Sequence, residues 1–178
     1  MGWEKEKGKK FKGPEKPDKK NFDKFLKDLT TGKAKVFYKS EKVPEKDTED
    51  GLTQVVGLTF DKYIGGKKDV VLEVHAPWCG HCKSFLPTYK KLAKRFAKVD
   101  SVVIAQLDGT ANEHEKLDVK GFPTVLFYPA GSSTPITYEG ERTIKDITKF
   151  IKKNAKVPFE LPKKGKKDDG EEAPKDEL

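Results

Sequence analysis

Two cysteines three positions apart are the residues of this sequence best suited to chemistry. Cys79 and Cys82, separated by Gly80 and His81, are its only cysteines. Two thiols this close can form a redox-active disulfide couple, supply half of a zinc site, or be an incidental buried pair. A structural zinc site needs about four ligands, but of the three histidines His81 lies between the two thiols and His75 on a predicted strand, and no second C-x-x-C pair exists. We therefore expect no metal and favour the disulfide couple.

The position of the pair supports this interpretation. It follows a β-branched run at 70–75 and opens a helical pattern at 79–98. The first thiol would then lie at a helix N-terminus, where unpaired backbone N–H groups and the helix dipole stabilise an anion. Protonated His81 would add positive charge and stabilise the dithiol further. Because a stabilised dithiol makes its disulfide a stronger oxidant, the pattern predicts an oxidising thiol–disulfide site.

The apolar pattern predicts a domain of alternating strands and helices around this site. Strands are predicted at 53–56, 70–75, 102–107, 124–128 and 135–139, and helices at 60–64, 79–98, 112–117 and 143–154. Such alternation predicts parallel strands joined by helices, and the short connection after residue 128 predicts one antiparallel hairpin. The expected class is α/β, with a mixed central sheet (βαβαβαββα) flanked by helices.

Apolar residues are concentrated in the middle of the chain, although 37% of its 178 residues are charged and the net charge is +8. The expected divisions are a flexible lead at 1–20, an amphipathic helix and linker from a preceding domain at 21–51, the main domain at 52–157, and a disordered tail at 158–178. The helix would carry Phe22, Phe25, Leu26 and Leu29 on one side, with Asn21 as its N-cap.

The patterns of charged and apolar residues argue against nucleic-acid binding and against membrane insertion. Lysines alternate with acidic residues, which favours a solvated surface over a nucleic-acid site. No run of about 18 apolar residues occurs, so we expect no membrane insertion. Because Met1 is followed by no apolar signal segment, we also expect a processed or truncated form of a longer protein.

Three short motifs resemble the protein disulfide isomerase family. Residues 76–82, Ala-Pro-Trp-Cys-Gly-His-Cys, are similar to its active site, and residues 121–124, Gly-Phe-Pro-Thr, to its cis-proline loop. The family's endoplasmic-reticulum retention signal is matched by Lys175, Asp176, Glu177 and Leu178. The resemblance implies a thioredoxin fold, with 52–157 as the last catalytic domain of a multidomain isomerase and with a likeness to plant members.

The resemblance also implies roles at the thiol site. Cys79 would be the exposed nucleophile that forms a mixed disulfide, and Cys82 the buried resolving thiol, with Gly80 and His81 between them in the catalytic loop. An extended client would be held by Trp78, Phe122 and a cis Pro123. An ordinary trans proline at 123 remains the alternative.

Two charged residues complete the implied site. Glu73 would be a buried proton acceptor for Cys82, the alternative being a solvent-facing glutamate. Arg142 would favour ionisation of Cys82, the alternative being a surface arginine. The chain also departs from the family at two positions: Gln106 stands where a lysine would pair with the buried carboxylate, and His75 where an aromatic residue is common. His75 could add positive charge near the site or be a half-buried strand residue.

The resemblance therefore implies a thiol–disulfide oxidoreductase and isomerase in the endoplasmic-reticulum lumen, without a cofactor. Its expected partners are unfolded or misoxidised secretory proteins, glutathione or an oxidase of that compartment, and the receptor for the retention signal. A client-binding chaperone module and a cytosolic thioredoxin-like reductase are the alternatives. His81 and the C-terminal motif disfavour the reductase.

Overall fold

The structure of the 178-residue chain is a computed structural model that describes residues 10–34 and 36–162. The predicted retention signal, the first half of the predicted lead and most of the predicted tail therefore lie outside the described residues. The chain divides into two compact units, Met1–Lys39 and Ser40–Leu178.

The described part of the first unit contains one helix, α1, at Lys19–Thr30. It begins two residues before Asn21 because the carboxylate of Asp18 is the N-cap and accepts from the Asn21 backbone N–H at 2.8 Å. The predicted cap was therefore wrong, since an ionised carboxylate caps a helix as well as an amide does. None of the residues of α1 is fully buried.

The second unit is a mixed six-stranded sheet with helices against its faces. Its elements are β1 (Thr48–Glu49), β2 (Leu52–Gln54), a 3₁₀ turn (Gly57–Thr59), α2 (Phe60–Tyr63), β3 (Asp69–His75), α3 (Gly80–Phe96), β4 (Val102–Asp108), β5 (Thr124–Tyr128), β6 (Ile136–Tyr138) and α4 (Ile144–Asn154). The strand order is β1-β2-β4-β3-β5-β6. This confirms the predicted mixed sheet and thioredoxin fold.

Strands β2, β4 and β3 run parallel, whereas β5 runs antiparallel to β3. The predicted β5–β6 hairpin is confirmed. Apolar residues alternate between the two faces of β3. Val71 packs with α3 and α4, while Val70, Leu72 and Val74 pack with Phe60 on the other face.

The hydroxyl of Tyr89 fastens α3 to the sheet. It lies 3.0 Å from the carbonyl of Val71 on β3 and 2.8 Å from that of Ala105 on β4. A buried hydroxyl needs such a partner. The middle of α3 is thereby held against the middle of these two strands.

One predicted helix does not form. Residues 112–117 are irregular apart from a turn at 115–116, because Asn112 binds groups distant in the chain instead of capping a helix. Its side-chain oxygen accepts from the N–H groups of Glu41 (3.0 Å) and Gly57 (2.9 Å), and its side-chain nitrogen donates to the Asp108 carbonyl at 3.0 Å. The observed order of the main domain therefore lacks the third helix of the predicted βαβαβαββα.

The predicted linker and tail also contribute to the second unit. Residues 48–49 form the edge strand β1, joined to β2 by Asp50 and Gly51, both at positive φ (50° and 82°), which a two-residue hairpin turn requires. At the other end, the ring of Phe159 lies 5.4 Å from that of Phe96, and Leu161 packs against the same core. The predicted start of the disordered tail at 158 was therefore too early, because these apolar side chains pack against the core.

Candidate active site

The two thiols lie where β3 leads into α3. Cys79 is the N-cap of α3, and its sulfur accepts from the backbone N–H of Cys82 at 3.4 Å. Gly80 is the first helical residue, and a Cβ built on it would meet no atom within 4 Å. Both cysteines are free and buried, with Cys79 8% and Cys82 5% exposed, so the expectation of an exposed Cys79 was wrong because Phe122 packs against it. The local sequence thus directs unpaired N–H groups of the first helical turn at Cys79.

The two thiols differ in pKa because their surroundings differ. Hydrogen bonds from the Cys82 thiol and the Cys82 backbone N–H lower the pKa of Cys79, and the His81 backbone N–H and Arg142 lower it further. Burial raises the pKa of Cys82 to about 11. The His81 side chain is exposed. Cys79 is therefore the thiol that ionises first, and Cys82 keeps its proton until a base takes it.

The predicted proline loop lies beside Cys79. The Phe122–Pro123 peptide bond is cis, the isomer that the resemblance implies. The Cys79 thiol donates to the Phe122 carbonyl at 3.5 Å. Trp78 is 71% exposed, and its ring meets that of Phe122 edge-on at 6.1 Å. An exposed aromatic surface and the Phe122 carbonyl therefore lie next to Cys79.

Glu73 lies beneath the first turns of α3. It is 1% exposed and its Oε2 has no hydrogen-bond partner, so the solvent-facing alternative was wrong. Burial raises the pKa of Glu73 to about 7, although Arg142 opposes the rise. The carboxyl lines a cavity of about 200 Å³ together with Cys82. A carboxylate with this pKa can exchange a proton near neutral pH.

Gln106 lines the same cavity from β4, in register with Glu73. Its amide donates to Gln54 Oε1 at 2.8 Å. A neutral amide cannot lower the pKa of Glu73 as an ammonium group would. Two lysines of α3, Lys83 and Lys90, also line the cavity. Sequence reasoning missed them, although their spacing of seven residues on one helix places them on the same side.

His75 also lines this cavity, two residues after Glu73 on the same face of β3. Its side chain is half-buried, as the strand alternative expects, and its Nε2 is buried without a hydrogen-bond partner. Burial lowers the pKa of His75, whereas the carboxylates of Asp108 and Glu41 oppose the change.

Arg142 precedes α4 and reaches across to α3. It is exposed, as the surface alternative expects, but its guanidinium carbon lies 6.0 Å from the centre of the Phe85 ring. From there its charge lowers the pKa of both Glu73 and Cys79. Arg142 therefore acts on the site through its positive charge.

A comparison with known proteins decides the family. Residues 51–153 match the family model described as Thioredoxin. The chain belongs to the thioredoxin family. It is 50% identical over 144 residues to "Protein disulfide isomerase-like 1-4" of Oryza sativa subsp. japonica, covering 79% of this chain and 25% of that protein. It is 42% identical over 142 residues to "Protein disulfide-isomerase A3" of Gallus gallus, covering 78% and 28%.

A solved thioredoxin-family domain has a similar structure. The first thioredoxin domain of mouse Protein disulfide-isomerase A4 is 29% identical with a TM-score of 0.55, over 70% of this chain and 93% of that one. The thioredoxin-family chain described here is thus strongly similar to protein disulfide isomerase-like proteins, plant members included. It spans about a quarter of the length of these curated relatives.

Two further observations concern metal sites and membrane-spanning helices in this thioredoxin-family chain. Within residues 10–34 and 36–162, no group of three or more His, Cys, Asp or Glu side chains is arranged to bind a metal ion. In the same part of the chain, every helix is too short or too polar to cross a lipid bilayer.

Proposed function

We propose that the chain is a thiol–disulfide oxidoreductase and isomerase that forms, reduces and rearranges disulfide bonds in folding secretory proteins. The observation that carries this proposal is the division of the two thiols, in which Cys79 has a lowered and Cys82 a raised pKa beside the Phe122–Pro123 loop. The names of the relatives, protein disulfide isomerases at 42–50% identity, support it.

The reaction starts at Cys79. Its thiolate attacks one sulfur of a client disulfide, a new bond forms between Cys79 Sγ and that sulfur, and the other client sulfur leaves as a thiolate. The N–H of Cys82, 3.4 Å from Sγ in the free site, stabilises the negative charge of the attacking sulfur. Trp78 and Phe122 hold the client's apolar side chains, and the backbone beside Pro123 pairs with its extended strand.

Cys82 completes the exchange. Its proton passes to the carboxylate of Glu73, and the new Cys82 thiolate attacks Cys79 Sγ of the mixed disulfide. The second client sulfur leaves as a thiolate, so the client gains two electrons and Cys79 and Cys82 become a disulfide. In the reverse direction the same steps oxidise a client. When another client thiol attacks the mixed disulfide first, the client's bonds are rearranged without net redox change.

Serine substitutions test the assignment of the two thiols. Cys82→Ser should trap a covalent adduct with a disulfide-bonded peptide, because attack proceeds and resolution cannot. Cys79→Ser should form no adduct, and both variants should lose insulin reduction and refolding of scrambled ribonuclease. Mass spectrometry of quenched mixtures identifies the adduct. An adduct on Cys82 in the Cys79→Ser variant at the rate of the parent would overturn the assignment.

The oxidising character is tested by equilibration with glutathione. We expect a thiol–disulfide equilibrium close to the poise of the endoplasmic reticulum, about −180 to −210 mV. Trp3→Phe leaves Trp78 as the single fluorescent reporter. A strongly reducing equilibrium would instead favour a thioredoxin-like reductase. Suppression of aggregation by a variant with both cysteines replaced by serine, without any exchange activity in the parent, would favour the chaperone module.

The proposal places the protein in the endoplasmic-reticulum lumen, recharged by glutathione or an oxidase. Lys175, Asp176, Glu177 and Leu178 would bind the retention receptor. Deleting these four residues from a secreted fusion of the chain should release it into the medium. Equal retention with and without them would contradict this part of the proposal.

A further inference from the structure

The cavity under α3 contains a second titratable group that the exchange reaction described above does not use. Glu73 and His75 lie two positions apart on one face of β3, a spacing of about 7 Å along a strand. Both line the cavity of about 200 Å³ that also exposes Cys82. Glu73 Oε2 and His75 Nε2 are both buried and have no hydrogen-bond partner.

A buried polar atom without a partner is costly, so two in one cavity need a reason. The cavity is large enough for water, since one water needs roughly 10–15 Å³ of such space. Water bridging Glu73, His75 and Cys82 would satisfy both atoms and connect the three groups for proton transfer. Gln106 on β4 closes the cavity but cannot itself carry a proton, because its amide does not titrate near neutral pH.

We propose that His75 is a proton-transfer partner of Glu73, so that the two side chains form a two-station relay for the proton of Cys82. This inference rests on the proposed thiol–disulfide exchange and adds a residue to it. The Cys82 S–H bond breaks as an O–H bond forms on Glu73, and the proton that Glu73 already carries moves to His75 Nε2. The imidazolium of His75 then releases a proton to water, which restores the neutral ring.

The charges around His75 suit a transient imidazolium. Asp108 at the end of β4 and Glu41 from the segment before β1 both raise the pKa of His75, against the effect of burial. Glu73 stays neutral during this transfer because it gains one proton as it loses another, and the Cys82 thiolate on the same cavity adds a third negative charge. Lys83 and Lys90 of α3 line the same cavity and oppose these charges from the solvent side.

The relay matters most where Glu73 already holds a proton. The pKa of Glu73 is about 7, so below neutral pH most Glu73 side chains cannot accept the proton of Cys82 directly. When His75 is present, it can accept the proton that Glu73 holds, and Cys82 can still be ionised. Without His75, resolution should depend on the ionised fraction of Glu73 alone. His75 thereby extends the resolving step to lower pH.

The test measures the resolving step by itself. The 178-residue chain is loaded at Cys79 with a fluorescent cysteine peptide, and the first-order release of that peptide by Cys82 is followed by rapid quench between about pH 5 and pH 9. The variants are His75→Phe, which keeps an aromatic ring, and His75→Gln, which keeps hydrogen bonding without titration. His114→Phe removes an imidazole that stacks on Phe60 away from the cavity and serves as the control.

We expect both His75 variants to resolve about threefold to tenfold more slowly than the parent near pH 6, and at the parent rate near pH 8, where Glu73 is ionised. The rate at which Cys79 attacks should change less than twofold. The control should follow the parent throughout. Far-ultraviolet circular dichroism checks folding, and His75→Gln carries the test if the larger phenylalanine does not fit.

Three outcomes would overturn the proposal. His75→Phe and His75→Gln could resolve with the parent's pH profile. They could be slowed by the same factor at all pH values, which indicates altered packing. His75→Gln alone could match the parent, which indicates a hydrogen-bonding role. If the parent forms no mixed disulfide at Cys79, the exchange function itself fails, and this result differs from each of the three.

Discussion

At the residue scale, burial decides the chemistry of the site. Cys79 and Cys82 have the same side chain, yet the first receives N–H groups and the second lies in an apolar setting. Glu73 lies in register with the neutral Gln106, and desolvation governs its pKa. The same side chains in solvent would have none of these properties.

The first prediction concerns the reactivity of the thiols. Because the thiolate is the reactive form, iodoacetamide should modify Cys79 with a midpoint below that of an ordinary thiol, while Cys82 stays unmodified until far higher pH. Peptide mapping by mass spectrometry measures each site. Arg142→Gln should raise the midpoint of Cys79, whereas Arg142→Lys should leave it closer to the parent. Equal modification of both cysteines across the pH range would contradict the pKa difference between Cys79 and Cys82.

The second prediction concerns stability and pH. The folded-state pKa of Glu73 is about 7 against an ordinary value of 4.5, so the folded chain holds a proton in this window that the unfolded chain has lost. The contribution of Glu73 to the free energy of unfolding is complete below about pH 4.5 and is lost as the pH rises through about 7. Glu73→Gln should therefore stabilise the chain by up to about 3 kcal/mol at pH 8.

Urea unfolding at pH 8 and near pH 4.5 measures the effect of Glu73→Gln, and the stabilisation should shrink towards zero at the lower pH. Glu139→Gln, at an exposed position, is the matched control and should change little at either pH. A stabilisation that is the same at both pH values would show that ionisation of Glu73 is not its cause.

At the scale of elements, single side chains join segments that are far apart in the chain. Asp69, fully buried at the start of β3, accepts from the N–H of Ala130 at 2.8 Å and from those of Lys156 and Val157 after α4 at 3.1 Å. One carboxylate thereby ties β3, the loop after β5 and the C-terminal segment together. The segment that carries Phe159 onto the core begins at this point.

The third prediction is that Asp69→Ala destabilises the chain by about 2 to 3 kcal/mol, because three N–H groups lose their acceptor. Asp69→Asn should cost less, since its oxygen can still accept. Denaturant unfolding gives both values. Asp100→Ala, at an exposed position, should change the free energy of unfolding by no more than about 0.5 kcal/mol. If Asp69→Ala lowered the free energy of unfolding no more than Asp100→Ala does, Asp69 would not be what joins these three segments.

At the scale of the whole domain, the site is assembled where several chain segments meet. The N–H of Gly109, just after β4, donates to the His75 carbonyl at 2.9 Å. A Cβ at Gly109 would lie 2.6 Å from the Phe122 ring and 2.7 Å from Val74. Glycine at this position therefore lets the proline loop pack against the end of β3, which places the Phe122 carbonyl beside Cys79.

The fourth prediction follows from this packing. Gly109→Ala should displace Phe122, destabilise the domain by about 1 to 3 kcal/mol, and slow the attack of Cys79 on a disulfide peptide. Gly121→Ala, where a Cβ would meet no atom within 4 Å, is the matched control in the same loop. Thermal unfolding and the rate of adduct formation measure the two effects. Equal values for the two variants would contradict the packing argument.

Features that depend on local pattern could be predicted from the amino-acid sequence. The β-branched run at 70–75 forms β3, the helical stripe after residue 79 forms α3, and Cys79 lies at the helix N-terminus because two adjacent elements meet there. The Asp50-Gly51 pair could also have predicted the β1–β2 hairpin, since both residues tolerate positive φ. Local propensity and short motifs suffice for these features.

Features that depend on contacts between distant segments could not be predicted in this way. The helix predicted at 112–117 is absent because Asn112 binds Glu41 and Gly57, which are 71 and 55 positions away. The antiparallel direction of β5 and the cavity shared by Glu73, His75 and Cys82 likewise arise from strand pairing and from α3 packing on the sheet. Burial and hydrogen bonds between remote residues are properties of the packed chain, so no local window of the sequence contains them.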